Sequence, residues 1–203
     1  IFPSWNSLLA DGETFPHLDT GESIANIQHL VVSANVYLGA AGIASALDLG
    51  ADIVVTGRIA DASLTVGPAM HAFDWSWSDW NRLAAATVAG HLIECGAQMT
   101  GGMFSDWNET LSLGDVGYPI AELSDDGSVV VTKPADSGGA VTVATVSEQL
   151  VYEIGDPEHY LTPDVDVDFS HVRFEQIGDD RVAVHDARGT PAPPTLKTSI
   201  SYQ

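Results

Sequence analysis

Cysteine is almost missing from this sequence: Cys95 is the only one in 203 residues. That excludes an internal disulfide and any zinc site built on thiolates, and makes a cytoplasmic location the default expectation. Positive charge is nearly as scarce. Seven Lys and Arg stand against 28 Asp and Glu, a formal net charge of −21, and Lys133 and Lys197 are the only lysines. The basic footprint that nucleic-acid binding needs is therefore lacking, and an anionic membrane surface would repel the chain. No apolar run reaches the ~18 residues that cross a bilayer. His, Asp and Glu are too scattered to specify a metal site, so no metal is expected. No dinucleotide fingerprint follows a strand, so no cofactor of the protein's own is expected. No signal peptide and no initiator Met are visible, and "IFPSWNSLLADGE" already reads as folded interior. The sequence is thus expected to be a piece of a longer protein, whose remainder would be its first partner.

What is present suits a packed core. Hydrophobic residues make up 45% and aromatics 8%, in a chain long enough for one sizeable domain. The acids are spread along the chain, and Asp outnumbers Glu about two to one. An Asp-rich, Lys-poor surface fits a halophilic protein, in which counterions screen self-repulsion; an ordinary acidic protein is the alternative.

Periodicity divides the chain at about residue 165. Before it, "LVVSANVYLG" (30–39) reads as a buried strand and "GAAGIASALDLG" (39–50) as a helix stopped by Gly50. "ADIVVTG" (51–57) reads as a second strand. "ASLTVGPAMHAF" (62–73) reads as a helix bent or restarted at Gly67-Pro68. A long helix spans 82–99, with Ser78 or Asp79 as N-cap and Gly101-Gly102 as its stop. Two strands flank the Asp125-Asp126-Gly127 turn, and "TVSEQLVYEI" (145–154) carries a Thr145/Glu148 capping box. After 165 the spacing becomes period two, with a turn at Gly178-Asp179-Asp180. The expected fold is α/β: a largely parallel sheet flanked by helices, with an antiparallel β segment toward the C-terminus. Residues 1–164 would form the α/β core, its start missing. Residues 165–203 would be an antiparallel extension of the same domain, its end truncated.

Several segments together resemble one family. "DGETFPHLDTG", "SANVYLGAAGI", "GADIVVTGRIADASL", "TVAGHLIECGAQMTGG", "KPADSGGAVTVATVSEQLVYEI" and "YLTPDVDVDFS" are similar, in this order, to the N-terminal domain of the acyclic terpene utilisation (AtuA-like) family. The resemblance implies a place in the breakdown of acyclic terpenoids of the citronellol and geraniol type through coenzyme A thioesters. It also implies kinship with partners of biotin-dependent acyl-CoA carboxylases.

Four groups of residues carry candidate chemistry. Arg58 is the sole Lys or Arg before Arg82 and sits in the loop that follows "DIVVTG". At a strand end, a Gly57-Arg58 loop before a helix suits an anionic ligand group, with Asn35 at the end of the preceding strand as a further binding position. Asp61 would hold Arg58, act as a base, or cap the helix; a purely structural Arg58–Asp61 pair is the alternative. On the long helix, Thr87, His91, Glu94 and Gln98 share one stripe, and His91 with Glu94 can form an acid–base pair. That stripe is either a pocket wall or the helix's solvent face. Cys95 beside it is a core residue or, less in keeping with its surroundings, a nucleophile. Lys133 with Gly138 and Gly139 would cradle a phosphate of coenzyme A, or form a plain turn; the spacing is not that of a P-loop. His17 and Asp19 are a further loop pair of ligands or bases.

Two functions are carried forward. The first is an enzyme on a terpenoid or branched-chain acyl-CoA, a lyase, hydratase or hydrolase, in which Arg58 binds an anion and His91, Glu94 and Asp61 move a proton. The second is a non-catalytic subunit or scaffold of an acyl-CoA carboxylase system. A homo-oligomer is expected in either case. Convergence of Arg58, Asp61, His91 and Glu94 on one cleft would favour the enzyme.

Overall fold

The computed structural model describes residues 5–109 and 112–203, so the first four residues of the expected folded opening lie outside it. Among the described residues there are five helices: α1 (Trp5–Ala10), α2 (Ala41–Asp48), α3 (Ser63–Phe73), α4 (Trp80–Glu94) and α5 (Val143–Leu150). The strands are β1 (Val31–Val36), β2 (Ile120–Leu123), β3 (Val129–Thr132), β4 (Tyr160–Leu161), β5 (Asp166–Asp168), β6 (Arg173–Gly178), β7 (Arg181–His185), β8 (Arg188–Thr190) and β9 (Thr198–Tyr202). No helix among the described residues is long and apolar enough to cross a membrane.

The sheets correct the sequence reading. Strands β2, β3, β7 and β6 form one sheet in that spatial order, β4, β5 and β8 a second, and β1 and β9 a third. Every one of these pairings is antiparallel. Parallel contact is confined, among the described residues, to the single-residue bridges Leu38–Ile59 and Val116–Gly138. The expected parallel βαβα core fails at 51–57, which forms no strand. Its apolar side chains are not buried: Ile53 is 83% and Val55 91% exposed. β1 is not the buried strand expected either; only Ala34 in it is buried, and it pairs with β9 at the other end of the chain. A β-branched run gives a segment extended propensity but does not choose its partner or its direction.

Antiparallel pairing does follow residue 165, and the hairpin β2–β3 turns as expected, with Gly127 at φ +87°. Because β3 pairs with β7 and β1 with β9, strands from the two ends of the chain interleave.

Helix α4 is the centre of the main core. Leu83, Ala84, Ala86, Val88, Ala89 and Leu92 on it are all fully buried. It packs on α3, α5 and strands of both larger sheets. A helix apolar on all sides is a buried one, and its small side chains let neighbours approach closely. Alternate residues Val129 and Val131 on β3, and Val182 and Val184 on β7, supply the facing sheet surface.

Local details differ in instructive ways. Helix α3 runs unbroken through Pro68. The carbonyl that loses its partner there, that of Leu64, belongs to an exposed residue and can turn to water. α4 ends at Glu94 rather than near residue 99, and a 3₁₀ turn over 96–98 follows. Gln98 therefore leaves the stripe. Asp79 stands at the N-cap of α4 but its carboxylate accepts from the Ser76 backbone N–H at 2.8 Å. The capping box of α5 is Thr142 with Thr145, one turn earlier than expected, and Glu148 instead accepts from Ser105.

Candidate active site

The C-terminal turn of α4 and the loop before α3 are pressed together at Gly90. A Cβ there would stand 2.7 Å from the Ala62 carbonyl oxygen and 2.8 Å from its Cα. Only a glycine allows that approach, and it sets Asp61 beside the turn that carries His91 and Glu94.

The stripe of α4 faces inward. Thr87 and His91 are each 1% exposed. Thr87 is spent on its own helix, donating to the Leu83 carbonyl at 2.8 Å. His91 Nε2 lies 3.1 Å from the Leu150 carbonyl, which can only accept, so Nε2 carries a proton. Its Nδ1 lies 3.0 Å from Glu94 Oε1, leaving one proton to be held along that line. The ring is fixed further by Tyr160 and Phe169, at centroid distances of 5.6 and 5.5 Å. Glu94 Oε2 is buried and has no hydrogen-bond partner. An unsatisfied buried carboxylate oxygen is costly to a fold.

Two cavities meet here, of about 370 and 500 Å³, and Asp61, Glu94 and Glu153 line both. The first also includes His91, Tyr160, Tyr37 and Lys197, with Leu161, Pro163 and Leu196 among its apolar lining. The second includes Leu64, Ile93 and Cys95. Glu153 holds φ +58°, a left-handed conformation that costs a non-glycine residue about 1 kcal/mol or more. Burial, and then the negative charge of Glu94, Asp61 and Glu153, pushes the Tyr160 phenol up to about 12, so it enters the cleft as a neutral donor. Burial likewise pushes the Cys95 thiol up; a hydrogen bond with Gln149 works the other way, and the same three carboxylates add to the rise. A thiol held protonated is a poor nucleophile, and Cys95 is half-buried at the cavity wall rather than in the core expected for it.

The model of the acyclic terpene utilisation family protein AtuA matches residues 1–203. The chain belongs to this family. No curated protein and no solved structure matches it. Membership ties the chain to acyclic terpene utilisation, and the cleft is where its chemistry-bearing side chains gather.

Asp164 braces the walls of the AtuA-family cleft. It is 7% exposed, and its Oδ1 accepts from the Ala40 N–H at 2.8 Å while Oδ2 accepts from the Ser63 hydroxyl. One carboxylate so ties the turn after Tyr37, the start of α3 next to Asp61, and the β4–β5 turn next to Tyr160. A Cβ at Gly39 would overlap this carboxylate, so the glycine makes room for it. Burial pushes the Asp164 carboxyl above the ordinary range, against the opposing pull of the two hydrogen bonds.

Other residues singled out in the sequence lie elsewhere. Arg58 is exposed and forms no ion pair with Asp61 among the described residues; its guanidinium carbon lies 5.7 Å from the centre of the Tyr37 ring. It thus touches the cleft through Tyr37 rather than lining it. Gly57 precedes it in the exposed loop, and Asn35 is an exposed position of β1 paired with Ser199. Lys133 is buried, donating to the Ser137 carbonyl at 2.8 Å and pairing with Asp180 at 3.0 Å. Gly138 and Gly139 pack against backbone of 112–115 and of Thr100. None of these three lines the cleft. His17 Nδ1 accepts from the backbone N–H groups of Asp19 and Thr20, which closes a local turn.

Sequence reasoning missed Tyr37, Glu153, Tyr160 and Lys197. Only Lys197 carried a signal: it is one of two lysines in an acidic chain, the same kind of isolation that drew attention to Arg58.

Proposed function

We propose that this chain is an enzyme that moves a proton on a terpenoid or branched-chain acyl-CoA thioester, in a lyase, hydratase or hydrolase reaction. The observation that carries this reading is the convergence of Asp61, Glu94 and the buried His91 on one cleft, with a neutral Tyr160 beside them. Asp61, the exposed carboxylate of the cleft, suits proton abstraction next to a thioester carbonyl. Glu94, with one oxygen held by imidazole and the other buried without a partner, is a neighbouring group that can take that proton on. The charge that then grows on the carbonyl oxygen needs a donor, which the Tyr160 hydroxyl can be. His91, with both nitrogens engaged, orients Glu94 and shares its proton rather than meeting the substrate directly. Apolar residues such as Leu161, Pro163 and Leu196 suit a branched hydrocarbon chain.

The test is hydrogen exchange. The protein is incubated in D₂O with a panel of branched and terpenoid acyl-CoAs, and deuterium at the α-carbon and any new product are followed by mass spectrometry. Wild type should catalyse exchange or turnover with at least one, and Glu94→Gln and Asp61→Asn should slow it by about 10²-fold or more. No exchange and no product across the panel would overturn the reading.

The second reading, a scaffold beside a biotin-dependent acyl-CoA carboxylase, draws on one feature. Leu49, Ile53 and Val55, within one short stretch, are 89%, 83% and 91% exposed. A stable assembly with such a subunit, without exchange on any thioester, would move the conclusion there.

A further inference from the structure

We infer that Arg58 and Lys197, gathered around Tyr37 at the edge of the cleft, form a two-cation subsite for the phosphate group of the ligand. The inference rests on the reading of this cleft as the ligand site. The two side chains come from opposite parts of the chain, yet each places its charge 5.7 Å from the centre of the same ring. Backbone bonds fix the arrangement. The Tyr37 N–H donates to the Lys197 carbonyl at 2.9 Å, and Leu38 exchanges bonds with the Arg58 carbonyl and the Ala60 N–H. Tyr37 and Lys197 line the cavity that also holds Asp61, His91 and Glu94.

What marks these two cations is their place beside a cleft-lining ring without a carboxylate partner. Arg82, Lys133, Arg173 and Arg181 each pair with an Asp or Glu. Arg188 lies in the field of Asp168 and Asp186. Among the described residues Arg58 and Lys197 have no carboxylate in ion-pair contact; Arg188 has none either, but it feels two nearby carboxylates, in a chain with a formal charge of −21. The cleft behind them is lined by Asp61, Glu94 and Glu153, so its own field repels an anion. A ligand with a negative head enters only if local positive charge outweighs that field. A planar guanidinium fork and a compact ammonium, each approaching the same ring, suit a phosphate, which offers several oxygens to both. The Tyr37 ring that both approach steadies each cation while leaving its N–H groups free to donate. The apolar residues that line the same cleft, Leu161, Pro163 and Leu196, would then take the hydrocarbon end of the ligand.

The phosphate has two possible sources: coenzyme A, or a diphosphate carried by a prenyl chain. Binding of CoA, geranyl diphosphate, inorganic diphosphate and the carboxylate citronellate is measured by calorimetry, without turnover. The proteins are wild type, Arg58→Ala, Lys197→Ala, and Arg173→Ala as a control that removes the same charge at a distance. Both cleft side chains are exposed, so thermal melts should match wild type. At least one phosphate probe should bind wild type, lose about tenfold or more in affinity with each cleft variant, and be unchanged by Arg173→Ala. Arg58→Lys should retain part of the binding. Loss confined to CoA assigns its phosphates; loss confined to geranyl diphosphate assigns a prenyl diphosphate; either supports the subsite. Three results overturn it: no phosphate probe binds wild type, citronellate alone responds to the variants, or Arg173→Ala weakens binding as much as the others. Proton exchange that persists while binding ignores both variants would sink this subsite and leave the proposed function standing. Variant-sensitive phosphate binding without any exchange would do the reverse.

Discussion

Replacing Asp164 tests the brace on which the cleft depends. Its carboxylate is buried and accepts from the Ala40 N–H and the Ser63 hydroxyl. In Asp164→Ala both donors lose their acceptor inside the protein. Each bond to a charged group is worth roughly 1.5–3 kcal/mol, and some relaxation is expected, so the loss should be about 3 kcal/mol. For a chain of 203 residues each kcal/mol moves Tm by about 2–4 °C, which gives a fall of roughly 6–12 °C. Asp164→Asn should behave differently. Its carbonyl oxygen keeps the Ala40 bond, and its amide can donate to a Ser63 hydroxyl that rotates to accept, so the loss should stay within about 1 kcal/mol.

The pH dependence separates charge from shape. Burial raises the Asp164 carboxyl in the folded state, so the folded chain holds that proton more readily than the unfolded one. Between the ordinary carboxylate value and the raised one, this group's contribution to stability falls as pH rises, and it levels off above. Stability gained at low pH through Asp164 is absent in Asp164→Asn. Urea titrations from mildly acid to neutral pH should show Asn gaining on wild type as pH increases. An Ala variant that loses under about 1 kcal/mol, or an Asn variant as damaged as Ala, would refute the reasoning.

Gly90→Ala should force α4 and the Asp61 loop apart by some tenths of an ångström, costing about 1–3 kcal/mol and more activity than stability; a variant with unchanged Tm and exchange rate would show the contact to be soft. Lys133→Met removes a buried ammonium from the Ser137 carbonyl and Asp180 and should cost about 2–3 kcal/mol by denaturant titration, while phosphate-probe binding stays at the wild-type level; lost binding with an intact fold would restore the loop over 133–139 as a ligand site. Cys95 should react slowly with iodoacetamide near pH 7 and faster as pH rises, because burial holds the thiol protonated; rapid labelling at pH 7 would reopen a nucleophilic role. With a formal charge of −21, Tm should climb from low to molar KCl, and a flat or falling curve would count against salt adaptation.

The sequence by itself determined what neighbouring residues decide. The spacing after Asp79 marked the long helix α4, Gly50 ended α2, and the Asp-Asp-Gly turn joined β2 to β3. His91 and Glu94 were legible as a pair because helix geometry alone sets residues three apart against each other. Their burial was not, since the stripe read equally well as a solvent face. Strand partners were decided by the tertiary structure. β1 joined β9 antiparallel, and the β-branched run over 51–57 found no ladder, because propensity is local and pairing is settled between distant segments. The cleft was decided at the same level. Asp61, Glu94, Glu153, Tyr160, Tyr37 and Lys197 come from separate elements, and no spacing along the chain records that Gly90 and Asp164 draw those elements together.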